Sequence, residues 1–199
     1  SFAARLNPLV APEVRLAVDG MPLIPGQVLI APGGAYHLNI EGSSTLRVNL
    51  FAGPLVSGHR PSVDSMFLSA RHMAHKVVAG ILTGMGRDGA EGMRVLREAG
   101  AKTIGQSKET CVVFGMPRVA GELGGVERWA DLDKFGQEIL QLAETPIGVR
   151  AECLQFLKKR PQRNPHILLK ANTRLAIRKT LSFRRFLVRA LLPASGTQS

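Results

Sequence analysis

The sequence predicts an α/β domain of the doubly wound kind. It would have a mostly parallel sheet between two helical layers (a Rossmann-like three-layer α/β/α arrangement), with a small antiparallel excursion. Three observations predict this. "VVAGIL" (77–82) is an unbroken apolar run of strand length, the pattern of a central parallel strand covered on both faces. Stretches of helical period lie on both sides of it. Short apolar runs punctuated by glycine-rich turns come before and after.

Taken in order, "QVLIAP" (27–32), "AYHLNI" (35–40) and "TLRVNL" (45–50) are strand-like runs separated by "GG" and "EGSS" turns, and their close spacing gives the antiparallel excursion. The segment 61–76 has helical period, with Val63, Met66, Phe67, Ala70, Met73 and Ala74 on one face. After strand 77–82, a helix carries Met93, Val95, Leu96 and Ala99. "AKTIGQ" (101–106) and "TCVVFG" (110–115) are expected as further strands, and 131–143 as a closing amphipathic helix. No internal repeat is visible.

The 199 residues suffice for one domain with a substantial core, or for one domain and an appendage. The formal charge of +11 suggests nucleic acid until it is located. Residues 1–149 hold 14 basic and 14 acidic side chains, whereas 150–199 hold 12 basic residues and one acid, Glu152. The main domain is therefore neutral, and no nucleic-acid partner is expected for it. Two distant cysteines, Cys111 and Cys153, without a signal peptide, predict a reducing, cytoplasmic setting. No apolar run approaches the ~20 residues that span a bilayer. The opening "SFAARLNPLV" reads as an internal portion of a longer polypeptide.

The chemistry concentrates in "TGMGRDGAEG" (83–92), at the carboxyl end of the buried strand, where open α/β sheets build their sites. Asp88 has two readings there. It can cap the helix that follows, forming a capping-box pair with Glu91 worth about 1 kcal/mol. Alternatively, it belongs to a catalytic constellation. By itself Met85 reads as a core methionine beneath the glycine turn. Ser62 is expected as the N-cap of the helix starting near 63, while Ser65, Ser69 and His72 are expected on a solvated helix face. A bland surface or satisfied role is expected for His37 and His166. No Cys/His cluster has metal-ligand spacing, so neither metal nor cofactor is expected.

"ILTGMGRDGAEGM", "AGAKTIGQSKETCVVFGMPR" and "GGVERWADLDKFGQEIL", together with "LIPGQVLIAPGGAYHL" and "HRPSVDSMF", resemble the catalytic domain of CheB-type chemotaxis protein-glutamate methylesterases, over about residues 2–147. The family commonly has Asn where this chain has Arg87. The resemblance implies a Ser-His-Asp hydrolase that cleaves glutamyl methyl esters on chemoreceptors and, in many members, deamidates glutamines. It assigns the aspartate to Asp88 and a site-lining methionine to Met85. "SGHRPS" (57–62) matches a family segment, and its His59 or Arg60 could approach the substrate or steady a loop. The nucleophilic serine and the basic histidine would precede Ser1, so the chain by itself is expected to be inactive. Loss of those first strands would leave an unpaired sheet edge and lower the stability. The implied partners are methylated chemoreceptor helices and, in longer members, a receiver domain. Alternatives are a non-catalytic receptor- or partner-binding remnant, and a basic surface binder acting through the tail.

The domain is therefore expected over 1–147, followed by a basic tail (148–199) with a possible helix over 168–192. Arg174, Arg178, Arg185 and Arg189 stripe one side of that helix, which could contact an anionic membrane surface or an acidic partner.

Overall fold

A computed structural model describes residues 2–144 and 186–189. A short helix α1 (Phe2–Leu6) leads into strand β1 (Glu13–Leu16), which pairs in parallel with β2 (Gln27–Ile30). The side chain of Asn7 accepts the Val14 amide at 2.7 Å, and Ala3, Val14 and Ile30 form a small core beneath. Strands β3 (His37–Glu41) and β4 (Arg47–Phe51) form an antiparallel hairpin. The antiparallel excursion is thus real but smaller than expected. The run at 27 belongs to a parallel pair with a strand at 13–16 that alternation did not reveal, because only Val14 of β1 is buried.

Helix α2 (Val63–Ser69) continues into a 3₁₀ segment at Ala70–Lys76. The single helix expected over 61–76 is broken at Met73, whose φ of −119° and ψ of 20° leave the helical range. The expected apolar face holds nonetheless, with Val63, Phe67, Ala70, Met73 and Ala74 all buried.

Strand β5 (Val77–Ile81) is wholly buried and central, as its apolar run required. Helix α3 (Ala90–Glu98) follows, then β6 (Lys102–Gln106), α4 (Met116–Glu122), β7 (Arg128–Ala130) and α5 (Leu132–Glu144). Alternation along β5 divides the core. Val77, Ala79 and Ile81 pack with Phe67, Met93 and Leu96, while Val78 packs with Ile104, Phe135, Ile139 and Leu142. This is the three-layer arrangement.

Three expectations are corrected in this sheet. Residues 110–115 form no strand; they make a loop over the sheet's carboxyl edge, with Val112 almost fully exposed. A β-branched run resembles a strand locally, but this one makes an isolated bridge from Phe114 to Gly84 and is otherwise held by the Thr83 and Gln106 side chains. The third parallel strand is β7, too short to show period. On the other side of β5 lies β8 (Phe186–Arg189), parallel to it from Val77–Phe186 to Gly80–Arg189, giving the order β7-β6-β5-β8. The β5 edge therefore carries a partner and is not bare. At 186–189 an extended strand also replaces the expected helix. A buried strand's backbone donors and acceptors demand pairing. The rest of the 168–192 range, His166, Cys153, the arginine stripe up to Arg185 and the boundary at 147 lie outside the described residues.

Candidate active site

The loop from Thr83 to Gly89 rises from β5 and delivers Asp88 into the protein, where it is 1% exposed. Asp88 does not cap its own helix. The N-cap of α3 is Gly89, at φ +86°, with no side-chain cap bond, and Glu91 turns away to pair with Arg94 at 2.5 Å. Hydrogen bonding to Arg94, with the fields of Arg94 and Arg87, holds Glu91 below the usual carboxylate range. The capping-box reading is therefore corrected. Gly89 has to be glycine twice over: its φ is left-handed, and a Cβ there would sit 2.6 Å from Val63 Cγ1.

The Asp88 carboxylate instead closes the N-terminus of α2. Its Oδ1 accepts from Ser62 Oγ at 2.6 Å and from the Asp64 amide at 3.1 Å, while Oδ2 accepts from the Val63 amide at 2.8 Å. Ser62 is the N-cap, as expected, and its Oγ also accepts the Ser65 amide at 3.3 Å. The Ser62 amide donates to His37 Nδ1 at 3.2 Å. Each amide from Ser62 to Ser65, which a helix start leaves without an intrahelical partner, is thereby satisfied.

The arrangement is reciprocal. Asp64, in the first turn of α2 and 5% exposed, sends Oδ1 to the Gly92 amide of α3 at 2.7 Å, while its Oδ2 accepts from Ser57 Oγ at 3.2 Å. Each helix start is thus held by the other segment's carboxylate, and both charges lie at positive helix ends. Burial pushes the Asp64 carboxyl above the ordinary range and the Asp88 charge adds to this, against the opposing pull of the Gly92 and Gly89 amides and Ser57.

A serine, a histidine and an aspartate meet here, but not as a nucleophile chain. The His37 ring is fully buried and stacked on Phe51 at 5.2 Å. Its Nδ1 accepts a backbone amide, so Nε2 carries the proton and donates to the Pro54 carbonyl at 2.8 Å. The Ser62 hydroxyl donates to Asp88 rather than to an imidazole. His37 is a satisfied core histidine, and the one hydroxyl hydrogen of Ser62 is committed to Asp88 and not to an imidazole.

The other candidates separate. Arg60 steadies a loop, donating to the carbonyls of Gly53 at 2.7 Å and Gly34 at 3.2 Å. His59 is exposed on a tight turn, its Nδ1 2.7 Å from the Ser57 carbonyl. Neither bonds to Asp88. The helix face expected to be solvated is partly docked: Ser69 Oγ accepts the Ile40 amide at 2.9 Å, and His72 Nε2 lies 2.8 Å from the Gly42 carbonyl.

Above Asp88, two loops are tied together. The Thr83 amide donates to buried Gln106 Oε1 at 2.8 Å, and Gln106 Nε2 donates to the Thr110 carbonyl at 2.7 Å. The Met116 amide donates to the Gly84 carbonyl at 2.8 Å. At Gly115 a Cβ would meet that same carbonyl oxygen at 2.6 Å, so the loops approach to a distance only glycine allows. The result is an apolar crest in which Met85 is 83% and Val112 90% exposed. Met85 is therefore not core. Among the described residues no His, Cys, Asp and Glu cluster could hold a metal ion, and no helix is long and apolar enough to cross a membrane.

A parallel sheet between helices, with a glycine-rich loop carrying one buried carboxylate at its carboxyl edge, defines a Rossmann-like domain with its candidate site at the strand ends. The chain belongs to the CheB methylesterase family, whose model matches residues 1–139. It is 56% identical over 144 residues to "Protein-glutamate methylesterase/protein-glutamine glutaminase 1" of Caulobacter vibrioides, a match covering 72% of this chain and 42% of that protein. It is 52% identical over 143 residues to the protein of the same name in Rhizobium johnstonii, covering 71% and 41%. Among solved structures, the CheB methylesterase catalytic domain of Thermotoga maritima matches with a TM-score of 0.67 and 34% identity, covering 70% of this chain and 75% of that one. The chain spans less than half the length of these two curated relatives.

Proposed function

We propose that this domain supplies the acid of a Ser-His-Asp methylesterase site acting on glutamyl methyl esters of chemoreceptors, with glutamine deamidation as a second activity. The observation that carries the reading is the Asp88 carboxylate. Of about four acceptor positions on a carboxylate, Oδ1 has two filled and Oδ2 one. One position is left, on Oδ2, for an imidazole N–H. In this reading the histidine and the nucleophilic serine come from sequence preceding Ser1 in the complete protein. The serine attacks the ester carbonyl, the histidine takes its proton and returns it to the departing methanol, and water then releases the glutamate. Asp88 holds the imidazole in the required tautomer and stabilises its protonated form. The exposed Met85 and Val112 offer apolar area to a receptor helix, while a receiver domain is a proposed regulator in the complete protein.

The test is methanol release from methylated receptor by the complete protein. Asp88→Ala is expected to lower turnover about 10⁴-fold, as loss of a triad acid does. Turnover within a factor of ten of the unsubstituted protein would leave Asp88 a helix-binding group only.

A further inference from the structure

We infer that the Ser62 hydroxyl is a positioning group for Asp88, fixing the rotation of its carboxylate so that the unfilled acceptor position on Oδ2 faces an incoming imidazole. The inference rests on the catalytic reading of Asp88.

Ser62 has one hydroxyl hydrogen and two neighbours. The Ser65 amide is itself a donor, so the hydrogen goes to Asp88 Oδ1. At 2.6 Å this is the shortest of the three bonds to the carboxylate, in the range of a charge-assisted O–H···O⁻ contact. Without it, Oδ1 keeps only the Asp64 amide at 3.1 Å, and the carboxylate can turn about its Cβ–Cγ bond with Val63 as its main tether. Ser62 is itself immobilised, because its amide is bound to His37 Nδ1 and that ring is locked by the Pro54 carbonyl. A cap alone needs an acceptor toward Ser65. It has no use for a donor aimed at a buried carboxylate 26 residues away in the chain.

Ser62→Gly suits the test because glycine at an N-cap costs only a few tenths of a kcal/mol, so the hydroxyl is removed while the helix start survives. In the complete protein the expected result is a kcat lower on the order of ten-fold, as for loss of one charge-assisted bond, with KM within about two-fold. Ser62→Thr, which keeps a hydroxyl donor, is expected to restore most of kcat. In the Asp88→Asn background, Ser62→Gly is expected to change residual turnover by less than about two-fold, since the group through which it acts is gone. An equal loss in both backgrounds would overturn the inference and return Ser62 to capping alone. So would a threonine variant as slow as the glycine one. An unchanged kcat for Ser62→Gly, with Asp88→Asn inactive, overturns the inference and leaves the catalytic reading standing. An active Asp88→Asn protein overturns both. If Ser62→Gly does not fold, Ser62→Ala, which likewise lacks the donor, takes its place in each of these comparisons.

Discussion

Replacing Asp64 separates two roles of its carboxylate. It accepts the Gly92 amide at the start of α3, and it carries a negative charge in a buried place beside Asp88. Asp64→Asn keeps an oxygen for the Gly92 N–H and an amide that can donate to Ser57, but removes the charge. Asp64→Ala removes both and leaves the Gly92 N–H buried without a partner. An unpaired buried donor costs about 2 kcal/mol. With a urea m-value of about 2 kcal/mol/M, Asp64→Ala should lower the unfolding midpoint by about 1 M. The pH dependence distinguishes the Asn variant. The folded-state pKa of Asp64 is raised above its ordinary 3.8, so the native chain holds this proton more tightly than the unfolded chain. The stabilisation this gives is fully present below the ordinary value and is lost as pH rises through the raised one. The Asn variant lacks that dependence, so it should gain on the unsubstituted chain from pH 3 to pH 7. Urea titrations of the three chains at the two pH values measure this. An Ala variant as stable as the parent, or a gap between Asn and parent that does not change with pH, would refute the reasoning.

Two further substitutions test the packing around the site. Gly89→Ala combines a left-handed φ with a 2.6 Å approach to Val63 Cγ1 and should cost roughly 2 kcal/mol or more, read as a lower thermal midpoint. Gln106→Leu keeps the volume but leaves the Thr83 amide and the Thr110 carbonyl unpaired. It should cost about 2 kcal/mol and speed proteolytic cleavage within 107–115; cleavage at the parent rate would mean that the loops are held by something else.

The sequence revealed elements whose pattern is self-contained. Strand β5 could be read because burial on both faces leaves an unbroken apolar run, and the buried face of α2 because Val63, Phe67 and Ala70 recur at helical spacing. Three strands leave too little pattern to read, β8 because Phe186–Arg189 lies in a run that can also be drawn as a helix. In β1 only Val14 is buried, and β7 is three residues long. Residues 110–115 resemble a strand, yet they are held by the Gln106 and Thr83 side chains and by backbone bonds to Gly84, and no local pattern encodes such contacts. The site was half legible. Asp88 stands out by its glycine-rich loop, but its actual partners, Ser62 to Asp64, lie some 25 residues upstream, and pairing at that distance leaves no periodic trace. Asp64 was the signal available: an acid in the first turn of a helix already capped by serine.

The joint between α2 and α3 holds two buried carboxylates against amide dipoles and two hydroxyls, with no cation among their hydrogen-bond partners. Dissolved ions compete with solvent-facing pairs such as Arg118–Glu122, but they cannot enter this joint. The part of the molecule that orients Asp88 is therefore insulated from ionic strength. Rising salt would loosen the protein's outer charge pairs and leave this alignment untouched.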